Sequence, residues 1–174
     1  NLACGLAMAG KKVLIIDLDP QGNVSTCLNA RSEYDTYDVL VGNQNPSLCA
    51  KNVMLNLDLI SSKETLTKAE VLLVGEQSRE TVLRRRLDTL TGYDFILLDC
   101  APSLGLLNQN AMLYADEIFI PTSTDALGIV GLTTMIKAIE KLNEIFNHRA
   151  KITCVIPTLY DSRNKICKTT LRDL

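Results

Sequence analysis

Long apolar runs are missing from this chain. No stretch reaches the roughly 18 residues that a helix needs to cross a bilayer, so no membrane is expected among its partners. An excess of one charge is missing too. Lys and Arg number 18 against 20 Asp and Glu, for a formal net charge of −2. That gives no global pull towards nucleic acid or lipid and leaves only local basic patches to consider. Histidine occurs once, as His148, at the expected end of a helix, where a solvated or dipole-facing role suits it. Six cysteines are present, with no C-x-x-C pair. A disulfide framework and a zinc ribbon are thereby excluded, and reduced, mostly buried thiols in a cytosolic setting are expected. Cys4, Cys100 and Cys154 have apolar neighbours in sequence. No G-x-G-x-x-G occurs, which removes the fingerprint of a dinucleotide oxidoreductase. Repeats, low-complexity tracts and linkers are absent as well. The length suits a single domain over residues 1–174.

Two stretches stand out against that background. Val13 to Asn23 reads VLIIDLDPQGN, and Asp94 to Gly105 reads DFILLDCAPSLG. Each is a short apolar run without alternation, the pattern of a parallel strand buried on both faces. Each then stops in a carboxylate and a turn-rich loop. In open α/β sheets, ligands bind at that carboxyl edge of the strands.

The remaining pattern alternates helix and strand. Asn1 to Ala9 is the end of a small-residue helix, stopped by Gly10. Gln21 to Arg31 reads as a loop with at most one helical turn. Asp35 caps a short helix to Val41, and Gly42 to Pro46 is a turn. Leu57 to Ile60 is a strand, with Ser61 and Ser62 placed to cap the segment from Lys63. Thr65–Gly75 and Arg79–Leu90 are helical, the second with an apolar stripe beside Arg84, Arg85 and Arg86. Leu104–Tyr114 is a helix and Glu117–Pro121 a strand. Ile129–Phe146 is the clearest helix, with apolar residues every three or four positions. Ile152–Pro157 is a strand, and a basic helix begins at Asn164. The fold class is α/β, three-layered and doubly wound on a mainly parallel sheet.

DLDPQGN, followed at this separation by DCAPSLGLLNQNA, resembles the ParA/MinD family of deviant-Walker ATPases, and within it the partition branch. Asn1-Leu2-Ala3, the Ile120–Thr122 IPT, Gly131-Leu132 and the Tyr160–Arg163 YDSR fit the same pattern. The resemblance implies a P-loop NTPase-like sheet, ATP and Mg²⁺ as ligands, and a face-to-face homodimer. It also implies sequence-independent DNA binding, a ParB-type centromere-binding partner, and a cytoplasmic, nucleoid-associated location. The family's phosphate loop, KGGVGKTT, does not occur in these residues. The chain is therefore expected to be an internal piece, incomplete at both ends, that binds nucleotide weakly and folds poorly alone. The other reading is a natural chain that has lost its phosphate cradle and serves as a non-enzymatic scaffold. A MinD-like division-site regulator would add a membrane-binding helix. A receiver-type signalling domain does not suit the long segment between Asp19 and Asp99.

By the same resemblance Asp19 orients the attacking water, and Asp99 holds magnesium with Asp17 close by. Pro20, Gln21, Gly22 and Asn23 belong to one switch loop, and Pro102, Ser103 and Gly105 to the other. Thr158 falls near the adenine. Arg163, Lys165, Lys168 and Arg172 stand where the family carries DNA-contacting cations. Each has a plainer reading. Asp17 and Asp19 also serve as turn or cap residues. Asp99 alone is an ordinary strand-end carboxylate, and Cys100 a small core residue rather than a nucleophile. No cysteine lies in residues 101–107, which argues against an iron–sulfur cluster on this fold. Both basic groups also read as solvated helix faces.

Overall fold

The structure, a computed structural model, describes residues 1–173. Two compact units are present, Asn1–Ala111 and a second starting at Met112.

The first unit is built on a four-stranded sheet in the order β2-β3-β1-β4. β1 (Val13–Asp17) is the central strand and is buried along its whole length. It runs parallel to β3 (Leu57–Ile60) on one side and to β4 (Phe95–Asp99) on the other. That placement explains the unbroken VLII run, since both faces are covered and no position has to be polar. β2 (Lys51–Met54) is antiparallel to β3. The turn between them passes through Asn56 at φ 63, a conformation that asparagine tolerates better than most residues. The sequence reading missed β2, because Lys51-Asn52-Val53-Met54 has neither a β-branched run nor clean alternation.

The helix α1 (Leu2–Met8) packs Ala3 and Ala7 against Val13, Ile15, Leu57 and Leu59. Alanine at those positions lets the helix lie close to the strands. Gly10, at φ 83, ends it in a Schellman motif. The Gly10 N–H donates to the Ala7 carbonyl at 3.0 Å, and the Lys11 N–H to the Leu6 carbonyl at 3.1 Å.

Four short helices come next: α2 (Asn23–Cys27), α3 (Thr36–Leu40), α4 (Pro46–Cys49) and α5 (Thr67–Leu73). α3 carries the expected Asp35 cap, extended into a capping box with Asp38. The Tyr37 N–H donates to Asp35 and the Asp35 N–H to Asp38, both at 2.8 Å. Ser61 and Ser62 do not cap the next segment. A 3-10 turn, Glu64–Leu66, opens there with no side-chain cap. The Ser61 carbonyl instead accepts the Thr36 N–H at 2.8 Å, so the end of β3 is tied to α3.

α6 (Val82–Leu87) buries Val82, Leu83 and Leu87, as its stripe predicts. α7 (Leu106–Tyr114) follows β4. Its buried Asn110 joins the two helices. The Asn110 side chain accepts the Leu83 N–H at 3.0 Å and donates to the carbonyls of Arg79 at 2.8 Å and Leu106 at 2.9 Å. The first of these pairs a backbone N–H that the start of a helix leaves without a partner.

In the second unit, β5 (Glu117–Ser123) and β6 (Lys151–Thr158) pair in parallel. α8 (Ala126–Phe146) starts ahead of the expected Ile129, because Asp125 caps it by accepting the Gly128 N–H at 2.8 Å. His148 is half-buried and directly follows the C-cap of α8 at Asn147. Its Nε2–H donates to the Ala115 carbonyl at 3.0 Å. α9 (Lys165–Asp173) buries Cys167 and Thr170.

Most thiols are not buried. Cys49 and Cys167 are, but Cys27, Cys100 and Cys154 are exposed and Cys4 is half-buried. Cys100 directly follows β4 and Cys154 lies in β6; among the described residues β4 pairs with β1 alone and β6 with β5 alone.

Candidate functional site

The parallel register places Asp17 directly beside Asp99. Both aspartates therefore leave the sheet at the same edge, at the ends of adjacent strands. The alignment is fixed beyond the strands by the Leu18 N–H, which donates to the Asp99 carbonyl at 2.8 Å. Thr36, fully buried, adds a second tie. Its hydroxyl lies 2.7 Å from the Asp17 carbonyl and 3.1 Å from that of Ser61.

Asp17 is fully buried. One carboxylate oxygen accepts the Asp19 N–H at 3.0 Å. The other, Oδ2, has no hydrogen-bond partner, which among the described buried side chains is shared only with the Ser62 hydroxyl. Burial, then the charges on Asp99 and Asp19, raise the Asp17 carboxyl to about 6. Asp99 is also raised, first by desolvation at the strand end and then by the charge on Asp19.

The raised value makes the fold prefer a protonated Asp17. A carboxyl whose folded-state pKa lies above 3.8 stabilises the fold when protonated, and the benefit is lost as pH climbs from about 4 to about 6. Moving a carboxyl from 3.8 to about 6 corresponds to about 3 kcal/mol. Asp17→Asn keeps the acceptor for Asp19 and removes the charge. In nucleotide-free protein it is expected to match the wild type near pH 4 and exceed its stability near pH 7 by up to about 3 kcal/mol. Urea unfolding at the two pH values measures the difference; an equal offset at both would show that burial does not penalise this charge.

Asp19 is half-buried, in the turn that begins the first loop. Its Oδ1 accepts the Gln21 N–H at 2.9 Å, and its carbonyl accepts the Gly22 N–H at 3.0 Å. The turn role expected of Asp19 is thus filled by one carboxylate oxygen. Gly22 adopts φ 62 and presses on the end of β3, where a Cβ would meet the Ser62 carbonyl at 2.6 Å. The second loop is shaped from α7. The buried Asn108 side chain donates to the carbonyls of Ala101, at 2.7 Å, and Ser103.

The other candidates lie in the second unit. Thr158 ends β6 opposite Ser123, and its carbonyl accepts the Thr124 N–H at 3.2 Å. Arg163 is exposed but engaged in a two-pronged pair with Asp161, at 3.1 and 2.8 Å. Lys165, Lys168 and Arg172 are exposed on α9, at a spacing of three and four that puts them along one helical face.

The sequence reading assigned no role to Thr36, Glu70, Asn108 or Asn110, and read Ser62 only as a cap. A signal existed for two of them, since LLNQNAML sets amides among apolar residues of a helix, where an unpartnered amide would be costly.

Hard oxygens at adjacent strand ends, one of them orphaned, suit Mg²⁺ rather than a softer metal. Among the described residues no cluster of three or more His, Cys, Asp or Glu could enclose a metal ion. Such an ion would keep water or take phosphate oxygens for its other positions.

The AAA-domain family matches residues 1–152. The chromosome-partitioning ATPase Soj of Treponema pallidum is 36% identical over 176 residues, covering all of this chain and 70% of that protein. The chromosome-partitioning protein ParA of Caulobacter vibrioides is 37% identical over 182 residues, again across the whole chain and 68% of the relative. Among solved structures, cobyrinic acid a,c-diamide synthase of Mycobacterium smegmatis with bound ADP and magnesium superposes with a TM-score of 0.91. It is 31% identical, over 99% of this chain and 72% of that one. Matched along its full length to Soj and ParA, and carrying the two strand-end aspartates in register, the chain belongs to the ParA/MinD-like family of AAA-domain ATPases.

Proposed function

We propose that the intact protein is a DNA-partition ATPase that hydrolyses ATP with Mg²⁺. The observation that carries this reading is the Asp17–Asp99 register pair with its orphaned Asp17 oxygen, set among relatives named as partition proteins. Phosphoryl transfer asks a protein mainly to position groups and stabilise charge. Asp99, with Asp17 behind it, holds magnesium. Magnesium held there would supply positive charge to offset that of the phosphates. Asp19 orients the attacking water through the carboxylate oxygen that the Gln21 N–H leaves free. Residues Pro20, Gln21, Gly22 and Asn23 form the first switch loop, and Pro102, Ser103 and Gly105 lie in the second. Thr158 lies by the adenine.

The ATP-bound protein acts as a homodimer on non-specific DNA and is released when a ParB-type partner stimulates hydrolysis. DNA phosphates are met by Lys165, Lys168 and Arg172. Arg163 joins them only by giving up Asp161. The corresponding location is cytoplasmic, on the nucleoid. Residues 1–174 belong to one ATPase domain.

The test is ATP turnover by the intact protein with magnesium present and after chelation. Turnover should fall to background without the metal and return when it is restored. Turnover unaffected by chelation, or an intact protein that does not bind ATP, would refute the reading.

A further inference from the structure

The loop after β4 is gripped from α5 by a residue that the catalytic roles do not use. α5 is anchored in the core by Ala69 and Leu73, both buried. Between them Glu70 is half-buried and reaches away from its own helix. Its Oε1 accepts the Leu107 N–H at 3.2 Å. Leu107 is the second residue of α7, so the carboxylate serves as an N-terminal cap supplied by another helix. The same carboxylate fills the space beside Gly105, where a Cβ would overlap it. Asn108 fixes the loop from the other end through Ala101 and Ser103. Residues 101–107 are therefore held between one carboxylate and one amide.

We propose that Glu70 is a positioning residue for the second switch loop, a latch that sets Pro102–Gly105 from α5 and thereby sets the rate of ATP hydrolysis. This rests on the functional reading above. A carboxylate at a helix N-terminus gains from both the hydrogen bond and the helix dipole. When the latch is closed, the loop and the start of α7 move with α5. When it opens, the Leu107 N–H is unpaired and the loop is free to rearrange. Glu70 touches neither reacting atom, so its effect is on geometry. Small displacements of positioned groups are costly in phosphoryl transfer, where positioning carries most of the catalysis.

The experiment compares Glu70→Ala and Glu70→Gln with wild type in the intact protein. It reads kcat, ATP affinity and hydrogen exchange at the Leu107 amide. Glu70→Ala is expected to lower kcat by about tenfold, leave ATP affinity unchanged and speed exchange at Leu107. Glu70→Gln keeps an acceptor and should restore slow exchange and most of the rate. A second variant, Gly105→Ala, should slow turnover with Glu70 present and lose that effect in the Glu70→Ala background, where the methyl has room. Turnover unchanged in Glu70→Ala, exchange unchanged, or loss of rate and affinity together with a lower melting temperature would each overturn the latch. Should the wild type fail to turn over ATP, the functional reading falls first, and unchanged exchange at Leu107 still disproves the contact on its own.

Discussion

Asp19→Ala in the intact protein should bind ATP and magnesium as the wild type does and hydrolyse at least about 100 times more slowly. Asp19 stands just beyond the Asp17–Asp99 register pair, and one of its oxygens is spent on the Gln21 N–H. The other is available to accept a hydrogen bond from water. Removing it takes away an interaction made in the transition state and leaves ground-state binding in place, so kcat falls and affinity does not. Asp19→Asn sharpens the comparison. The amide oxygen still accepts from Gln21 and preserves the turn, while the basic oxygen is lost. Equal losses in the two variants assign the effect to water positioning. If Asp19→Asn hydrolysed ATP like the wild type, the residue would be only a turn-former, and the catalytic role would have to move elsewhere. Loss of ATP binding in Asp19→Ala would point the same way, to a loop that has collapsed.

Gly22→Ala is expected to be the most damaging single-methyl change in the first unit. Two costs add. An alanine at φ 62 costs about 1–2 kcal/mol in backbone sterics alone. The added Cβ would lie 2.6 Å from the Ser62 carbonyl oxygen, and relieving such an overlap against backbone costs roughly another 1–3 kcal/mol. Gly10 provides the control. It has φ 83 and nothing within 4 Å of an added Cβ, so Gly10→Ala should show the conformational cost without the clash. Urea denaturation of both variants separates the two contributions. Similar losses at Gly10 and Gly22 would show that the first loop yields to let Ser62 move, and that the loop is not wedged against the end of β3.

The strand-end positions of the two aspartates were legible because each closes a short unalternating apolar run, the pattern of a parallel strand buried on both faces. The cap at Asp35 and the stop at Gly10 were legible for similar reasons, since both depend on neighbours within a few residues. Features that depend on distant partners were not. Ser61-Ser62 looks like a cap in sequence, yet the Ser61 carbonyl is taken by Thr36, 25 residues away. Cys100 and Cys154 sit among apolar letters, yet both are exposed, and among the described residues their strands are paired on one side. Glu70 reads as one more charge on a helix, and only the fold brings α7 to it. The roles of Asp17 and Asp99 as neighbours come from a parallel register that no local pattern specifies.

That register has a consequence for how the chain can vary. Strands with one wet face are held in place by their polar pattern, because a slip of one residue would turn the apolar side outward. β1 has no such guard. Its VLII run is buried on both sides, and a slipped copy would bury nearly the same surface. Alignment is instead enforced from the two ends. The Lys12 carbonyl accepts the Asp94 N–H at 2.8 Å at one end. Leu18 and Thr36 clamp Asp99 and Asp17 at the other. Exchanges among valine, leucine and isoleucine inside β1 therefore carry a packing cost but no register cost, while the few polar residues at its two ends keep the aspartates side by side.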